Sequence, residues 1–109
     1  MNTSEAVDAF SALSHETRLT VFKLLLKEGE QGLSAGVIAR QLGVQPSTLT
    51  AHLQILKRSG LLRSIRQQQK ILYSADVQGT RNLLRFLTQE CCQGHPEICS
   101  DLFDSVKLC

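Results

Sequence analysis

The sequence predicts a mainly α-helical single domain carrying a helix-turn-helix and a two-stranded β-hairpin. Three observations lead there. Apolar residues recur at helical spacing through most of the chain. Gly43-Val-Gln45 separates two helical stretches by a short turn. After Gly60 the period changes to strand-like alternation. The 109 residues suit one domain, and 42% apolar with 20% charged residues suits a folded chain. No apolar run approaches the roughly 18 residues of a membrane span. Residues 1–10 hold acids and no basic segment ahead of an apolar one, so neither a secretory leader nor a membrane partner is expected. The expected location is the cytoplasm, where thiols stay reduced. A core this small gains from pairing, so a dimer fits.

Taken in order, Ala6, Phe10 and Leu13 predict a first helix over residues 5–13. Ser14 is a candidate cap for a second helix, with Leu19, Phe22, Leu25 and Leu26 facing inward. Glu28-Gly-Glu-Gln-Gly32 reads as a loop. Ser34 caps a third helix bearing Val37, Ile38 and Leu42, and Gly43 closes it in the left-handed position. Pro46 suits the first turn of the next helix, whose inner stripe is Leu49, Leu53 and Leu56. Two β-prone stretches, 61–66 and 71–75, flank Arg66-Gln-Gln-Gln-Lys70. Lacking an Asn-Gly or other glycine turn, that tip is expected to be a longer loop. A last helix runs from about Gln78 or Thr80 to Cys92, with Leu83, Leu84, Leu87 and Cys91 on its apolar side and Gly94 and Pro96 beyond it. The expected division is residues 1–92 as the folded domain and 93–109 as a cysteine-bearing tail.

Charge is distributed unevenly. Residues 1–30 hold five acids and three bases, residues 31–75 hold six bases and no acid, and residues 76–109 hold five acids and three bases. The acid-free middle, with Arg40, Lys57, Arg58, Arg63, Arg66 and Lys70, is what a phosphate-facing surface requires, since each exposed carboxylate would repel a nucleic-acid backbone. It coincides with the helix-turn-helix. In that motif the second helix enters the major groove and its first residues meet base edges. Here these are Gln45, Ser47, Thr48, Thr50, Ala51 and His52, small or polar, while the leucines face the core. Lys57 and Arg58 suit the far end of the helix and reach phosphate, and Arg66 and Lys70 at the hairpin tip suit an adjacent groove. Duplex DNA is therefore the expected partner. Two plainer readings stand beside this one: the serine and threonines as helix caps, and His52 as a satisfied structural histidine.

All four cysteines fall in the last 19 residues: Cys91, Cys92, Cys99 and Cys109. Gly94 and Pro96 let the chain fold back, so Cys91, Cys92 and Cys99 can meet around one soft centre. Three thiolates suit trivalent arsenic or antimony, whose lone pair completes a pyramid. Zinc wants a fourth ligand, which His95 supplies. Burial of Cys91 in a helix interface and disulfide-based redox sensing are the other two readings of the group. Catalysis is not expected, and neither is a small organic substrate. No paired carboxylates, phosphate loop or nucleophile motif is present, and a helix C-terminus disfavours thiolate.

Leu13-Ser-His-Glu-Thr-Arg-Leu19, Ile38-Ala-Arg-Gln-Leu-Gly43, Pro46-Ser-Thr-Leu-Thr-Ala-His-Leu53 and Leu56-Lys-Arg-Ser-Gly-Leu-Leu62 resemble the ArsR/SmtB metalloregulatory repressors over roughly residues 5–92. The resemblance implies a winged helix-turn-helix homodimer paired through its first and last helices, leaving its operator when a metal or metalloid binds. It implies DNA contacts from Gln45, Ser47, Thr48, Thr50 and His52, with Arg66 and Lys70 in the wing. The Cys-x-Cys sensor of many arsenic-responsive members has no counterpart in the helix over residues 34–42. The Asp and His ligands of zinc-sensing members have none over residues 80–92. The chain is similar instead to a branch with a vicinal cysteine pair and a later cysteine that binds arsenite, which carries Cys91, Cys92 and Cys99 over as ligands. Methylated trivalent arsenic, which needs only a pair, and zinc, cadmium, antimony or thiol redox state are the alternative signals.

Overall fold

The computed structural model describes residues 1–91 and, within them, the side chains of residues 1–88. Its order is α1 (Thr3–Leu13), α2 (Glu16–Glu28), β1 (Leu33–Ser34), α3 (Ala35–Leu42), α4 (Pro46–Arg58), β2 (Leu62–Gln67), β3 (Lys70–Ala75) and α5 (Val77–Cys91). The strands form one antiparallel sheet in the order β1-β3-β2. Among the described residues no helix is long and apolar enough to cross a membrane.

Local chemistry accounts for most boundaries. α1 starts earlier than expected because Asn2 and Glu5 form a capping box, each side chain taking up the other's backbone N–H at 2.8–2.9 Å. Ser14 does not cap α2. It closes α1, and the cap is His15, whose Nδ1 accepts the Thr17 N–H at 3.2 Å. Ser34 caps α3 as expected, its hydroxyl accepting from the Val37 N–H at 3.3 Å. Gly43 ends α3 at φ 66°, ψ 34°, the left-handed closure expected of it. α5 begins at Val77 rather than Gln78 or Thr80, because Asp76 Oδ1 accepts the Gly79 N–H at 3.0 Å and caps the helix there.

The core joins all layers. Val21 and Leu25 of α2, Ile38 of α3, the three leucines of α4 and Leu61 are fully or almost fully buried. α1 contributes a narrow stripe of Ala6, Ala9 and Ala12, and its larger Val7 and Phe10 face out. Leu19 and Leu26 were expected inside α2 but are 43% and 45% exposed. Val21, Phe22 and Leu25 take the inner face, and Leu19 and Leu26, seven apart and so on one line along the helix, lie on its flank.

The hairpin corrects another expectation. Gln67 pairs with Lys70, so only Gln68 and Gln69 form the turn. A two-residue turn of the kind that matches strand twist needs positive φ at its first central residue, normally a glycine. Here Gln68 takes φ 60°. The tight turn forms without the expected signal because a glutamine adopts the strained conformation and the flanking ladder holds it.

Two close backbone approaches fix the sheet and α5. A Cβ on Gly32 would lie 2.5 Å from the Tyr73 carbonyl oxygen, so glycine lets β1 join β3. A Cβ on Gly79 would collide with the carbonyl of Gly60, just past the end of α4, and the Asp76 N–H donates to Leu61 O at 2.9 Å beside it. The start of α5 is thus seated on the turn that ends α4.

Gly79→Ala is expected to lower stability by about 1–3 kcal/mol through that backbone collision. Gly36→Ala, at a helical position with open space, is expected to raise it by about 0.5–1 kcal/mol. Paired urea denaturation curves check both.

Candidate nucleic-acid interface

α4 owes its orientation to its own periodicity. Leu49, Leu53 and Leu56 are each 0% exposed, so the opposite side of the helix must face solvent. Ser47, Thr48, Thr50 and Ala51 are all exposed there or on its flanks. Gln45, also exposed, precedes the helix and makes no side-chain cap bond, while Pro46 fills the first position. Uncapped N–H groups at a helix start favour an anion. The Thr50 hydroxyl donates to Pro46 O at 2.9 Å, so its donor is used within the helix and its oxygen remains an acceptor.

The other expected contact residues spread around this patch. Lys57 and Arg58 are exposed in the last turn of α4, about 16 Å along the axis from Ser47. Arg58 borders a cleft of about 350 Å³ that also presents Glu5, Asp8 and Asp76, so acids from outside the acid-free block lie near it. Arg66 and Lys70 are exposed at the hairpin tip. The register places Arg66 opposite Ile71 and Lys70 opposite Gln67, so the two cations sit on opposite faces of the wing. Arg63 is exposed lower on β2, and Arg40 on α3.

His52 occupies a different setting. It lies on the flank of α4 nearest α2 and is only partly exposed. The Arg18 guanidinium lies 3.3 Å from its Nδ1, through Nη1, while Arg18 Nε donates to the Ala12 carbonyl at 2.6 Å. The His15 and His52 rings stand 4.6 Å apart, tilted by 47°. Burial pushes the His52 pKa down, and the proximity of His15 and Arg18 pushes it the same way. The end of α1, the start of α2 and the middle of α4 are thereby tied together. Sequence reasoning passed over His15 and Arg18. Their spacing of three, which puts both on one face of the first turn of α2, was the available signal.

Of the cysteines assigned as ligands, Cys91 is the last residue of α5. Its side chain, Cys92, Cys99 and the tail 93–109 lie outside what the structure describes.

A helix-turn-helix whose second helix turns a polar, carboxylate-free face outward beside a basic hairpin defines a DNA-binding module. The comparisons with known proteins agree. A family described as "Helix-turn-helix domain" matches residues 13–65. The HTH-type transcriptional regulator YgaV of Escherichia coli (strain K12) is 32% identical over 88 residues, covering 81% of this chain and 87% of that protein. An ArsR-like transcriptional regulator from Rhodococcus sp. RHA1 superposes with a TM-score of 0.73 at 26% identity, covering 89% of each chain. The homodimeric winged helix-turn-helix DNA-binding domain of Mb0332 from Mycobacterium bovis, a possible ArsR-family regulator, superposes with a TM-score of 0.63 at 26% identity, covering 84% of this chain and 82% of that one. The chain belongs to the ArsR-like winged helix-turn-helix family of transcriptional regulators. It is a DNA-binding regulator and not an enzyme.

The lowered pKa sets a pH response. The fold favours the neutral His52 ring, so the unfolded chain binds the proton more readily and stability falls as pH drops below the ordinary histidine value of 6.5. Thermal melts between pH 8 and pH 5 are expected to show a loss of Tm below that value that is reduced in His52→Gln.

Proposed function

We propose that the protein is a cytoplasmic transcriptional repressor that binds operator DNA as a homodimer and is released by trivalent arsenic. The observation that carries the DNA half is the outward face of α4. Ser47, Thr48 and Ala51 are exposed, the leucines behind them are sealed in the core, and the surrounding stretch of chain lacks acids. Gln45, Ser47, Thr48 and Thr50 read the groove, and Lys57, Arg58, Arg66 and Lys70 take phosphates. Pairing of two copies is supported by the exposed Val7 and Phe10 on α1, by the family resemblance, and by the homodimer of the Mycobacterium bovis relative. Two-fold symmetry places the half-sites about one helical turn apart.

The sensor half rests on donor chemistry. Cys91, Cys92 and Cys99 supply three thiolates within nine residues of chain, a set that fits arsenite and, by the same chemistry, antimonite. Release requires that the inducer favour the conformation that binds DNA poorly, and a coupling of about 1–3 kcal/mol is ordinary. The seat of α5 supports a route for it. One helix runs from Cys91 back to Gly79, which abuts the turn closing α4. A ligand that pulls on the far end of α5 shifts the element that positions the reading helix.

Fluorescence anisotropy with an operator duplex tests both halves. Cys91→Ser, Cys92→Ser and Cys99→Ser are expected to keep wild-type operator affinity and to lose release by arsenite under reducing conditions. Normal release by all three variants removes the thiol site, and failure of the wild type to bind any duplex removes the repressor.

A further inference from the structure

The contact between Arg18 and His52 carries a consequence for recognition. A guanidinium has only N–H donors and stays protonated, so it can neither accept a hydrogen bond nor give up its charge. A hydrogen bond from Arg18 Nη1 to His52 Nδ1 at 3.3 Å therefore requires that Nδ1 be the bare acceptor nitrogen. The ring proton must then sit on Nε2. Arg18 is itself held, since its Nε donates to the Ala12 carbonyl at the end of α1. The tilted His15 ring, anchored by its own cap bond to Thr17, flanks the imidazole. His52 is thus constrained in direction and in tautomer from a helix other than its own.

We propose that Arg18 is a positioning residue for DNA recognition, fixing His52 as the Nε2–H tautomer so that His52 acts as a hydrogen-bond donor to an acceptor on duplex DNA. This rests on the reading of α4 as the helix that meets DNA. The acceptors available there are phosphate oxygens, purine N7, guanine O6 and thymine O4. Cytosine N4 and adenine N6, which only donate, are refused at that position. Burial favours the neutral ring, so the donor is delivered without a net charge. Protonation of Nδ1 would set an N–H against the guanidinium and break the arrangement.

The test has one readout without DNA and one with it. In the free wild-type protein, nitrogen-15 NMR of the imidazole is expected to show an unprotonated Nδ1 and a protonated Nε2 for His52 at pH 7.5. Arg18→Gln is expected to mix the two tautomers. By anisotropy on an operator duplex, Arg18→Gln and His52→Ala are each expected to weaken binding roughly 3–10-fold, the scale of one hydrogen bond. The double variant is expected to be no weaker than the worse single one, because one residue acts through the other. Arg18→Lys, which keeps a donor but loses the fork that spans two acceptors, is expected to fall between wild type and Arg18→Gln. A protonated Nδ1 in the wild type overturns the proposal, and so does a double variant whose loss is the product of the two single losses. Should Arg18→Gln fail to fold, the wild-type spectrum alone decides. A wild type that binds no duplex defeats the DNA reading itself, an outcome separate from either result for the tautomer.

Discussion

Burial of one leucine stripe is the constraint on which the rest of this molecule depends. Leu49, Leu53 and Leu56 lie at i, i+4 and i+7 and are sealed against α2, α3 and the sheet. A helix held by that stripe has no rotational freedom left. Ser47 and Ala51 then point away from the core, Thr48 and His52 lie along one flank, and Thr50 and Lys57 lie along the other. Each buried leucine is worth about 1.5–3 kcal/mol, far more than any polar contact on the outer face. The surface that meets DNA is therefore positioned from behind by packing, and its own residues remain free to be chosen for recognition.

The parts of the fold legible in the sequence are those where one physical signal dominates. The α4 stripe, the Ser34 cap, the Gly43 closure and the change of period after Gly60 each have a single strong cause, and each stands where expected. The parts that were not legible involve competition or tertiary context. α2 has two apolar faces, and only packing decides that Val21 and Leu25 go in while Leu19 and Leu26 stay out. α1 buries Ala6, Ala9 and Ala12 and leaves the larger Val7 and Phe10 outside, which its apolar spacing alone does not announce. β1 is two residues long and exists only because β3 lies beside it. The tight hairpin turn hides behind Gln68, a residue that ordinarily avoids positive φ.

The interface divides in the same way. Its outward polar residues follow from the helical period alone, whereas the bracket of His15, Arg18 and His52 joins positions 34 apart in sequence, and the local spacing of His15 and Arg18 does not name His52 as their partner. Arg66 and Lys70 read as one basic tip in sequence, yet strand alternation sends them to opposite faces. Arg58, another base of the acid-free block, borders a cleft shared with acids from α1 and from the start of α5. The link from α4 to α5 is a glycine contact, silent in composition, and it joins the reading helix to the helix that ends at Cys91.

The central claim is that a carboxylate-free face organised around α4 holds duplex DNA through its phosphates. The salt dependence of wild-type affinity for an operator duplex tests it most directly. Each phosphate neutralised contributes about −0.9 to the slope of log K against log salt, so several contacts per protomer predict a slope of about −4 or steeper. A slope near zero, or no binding at low ionic strength, would contradict the account.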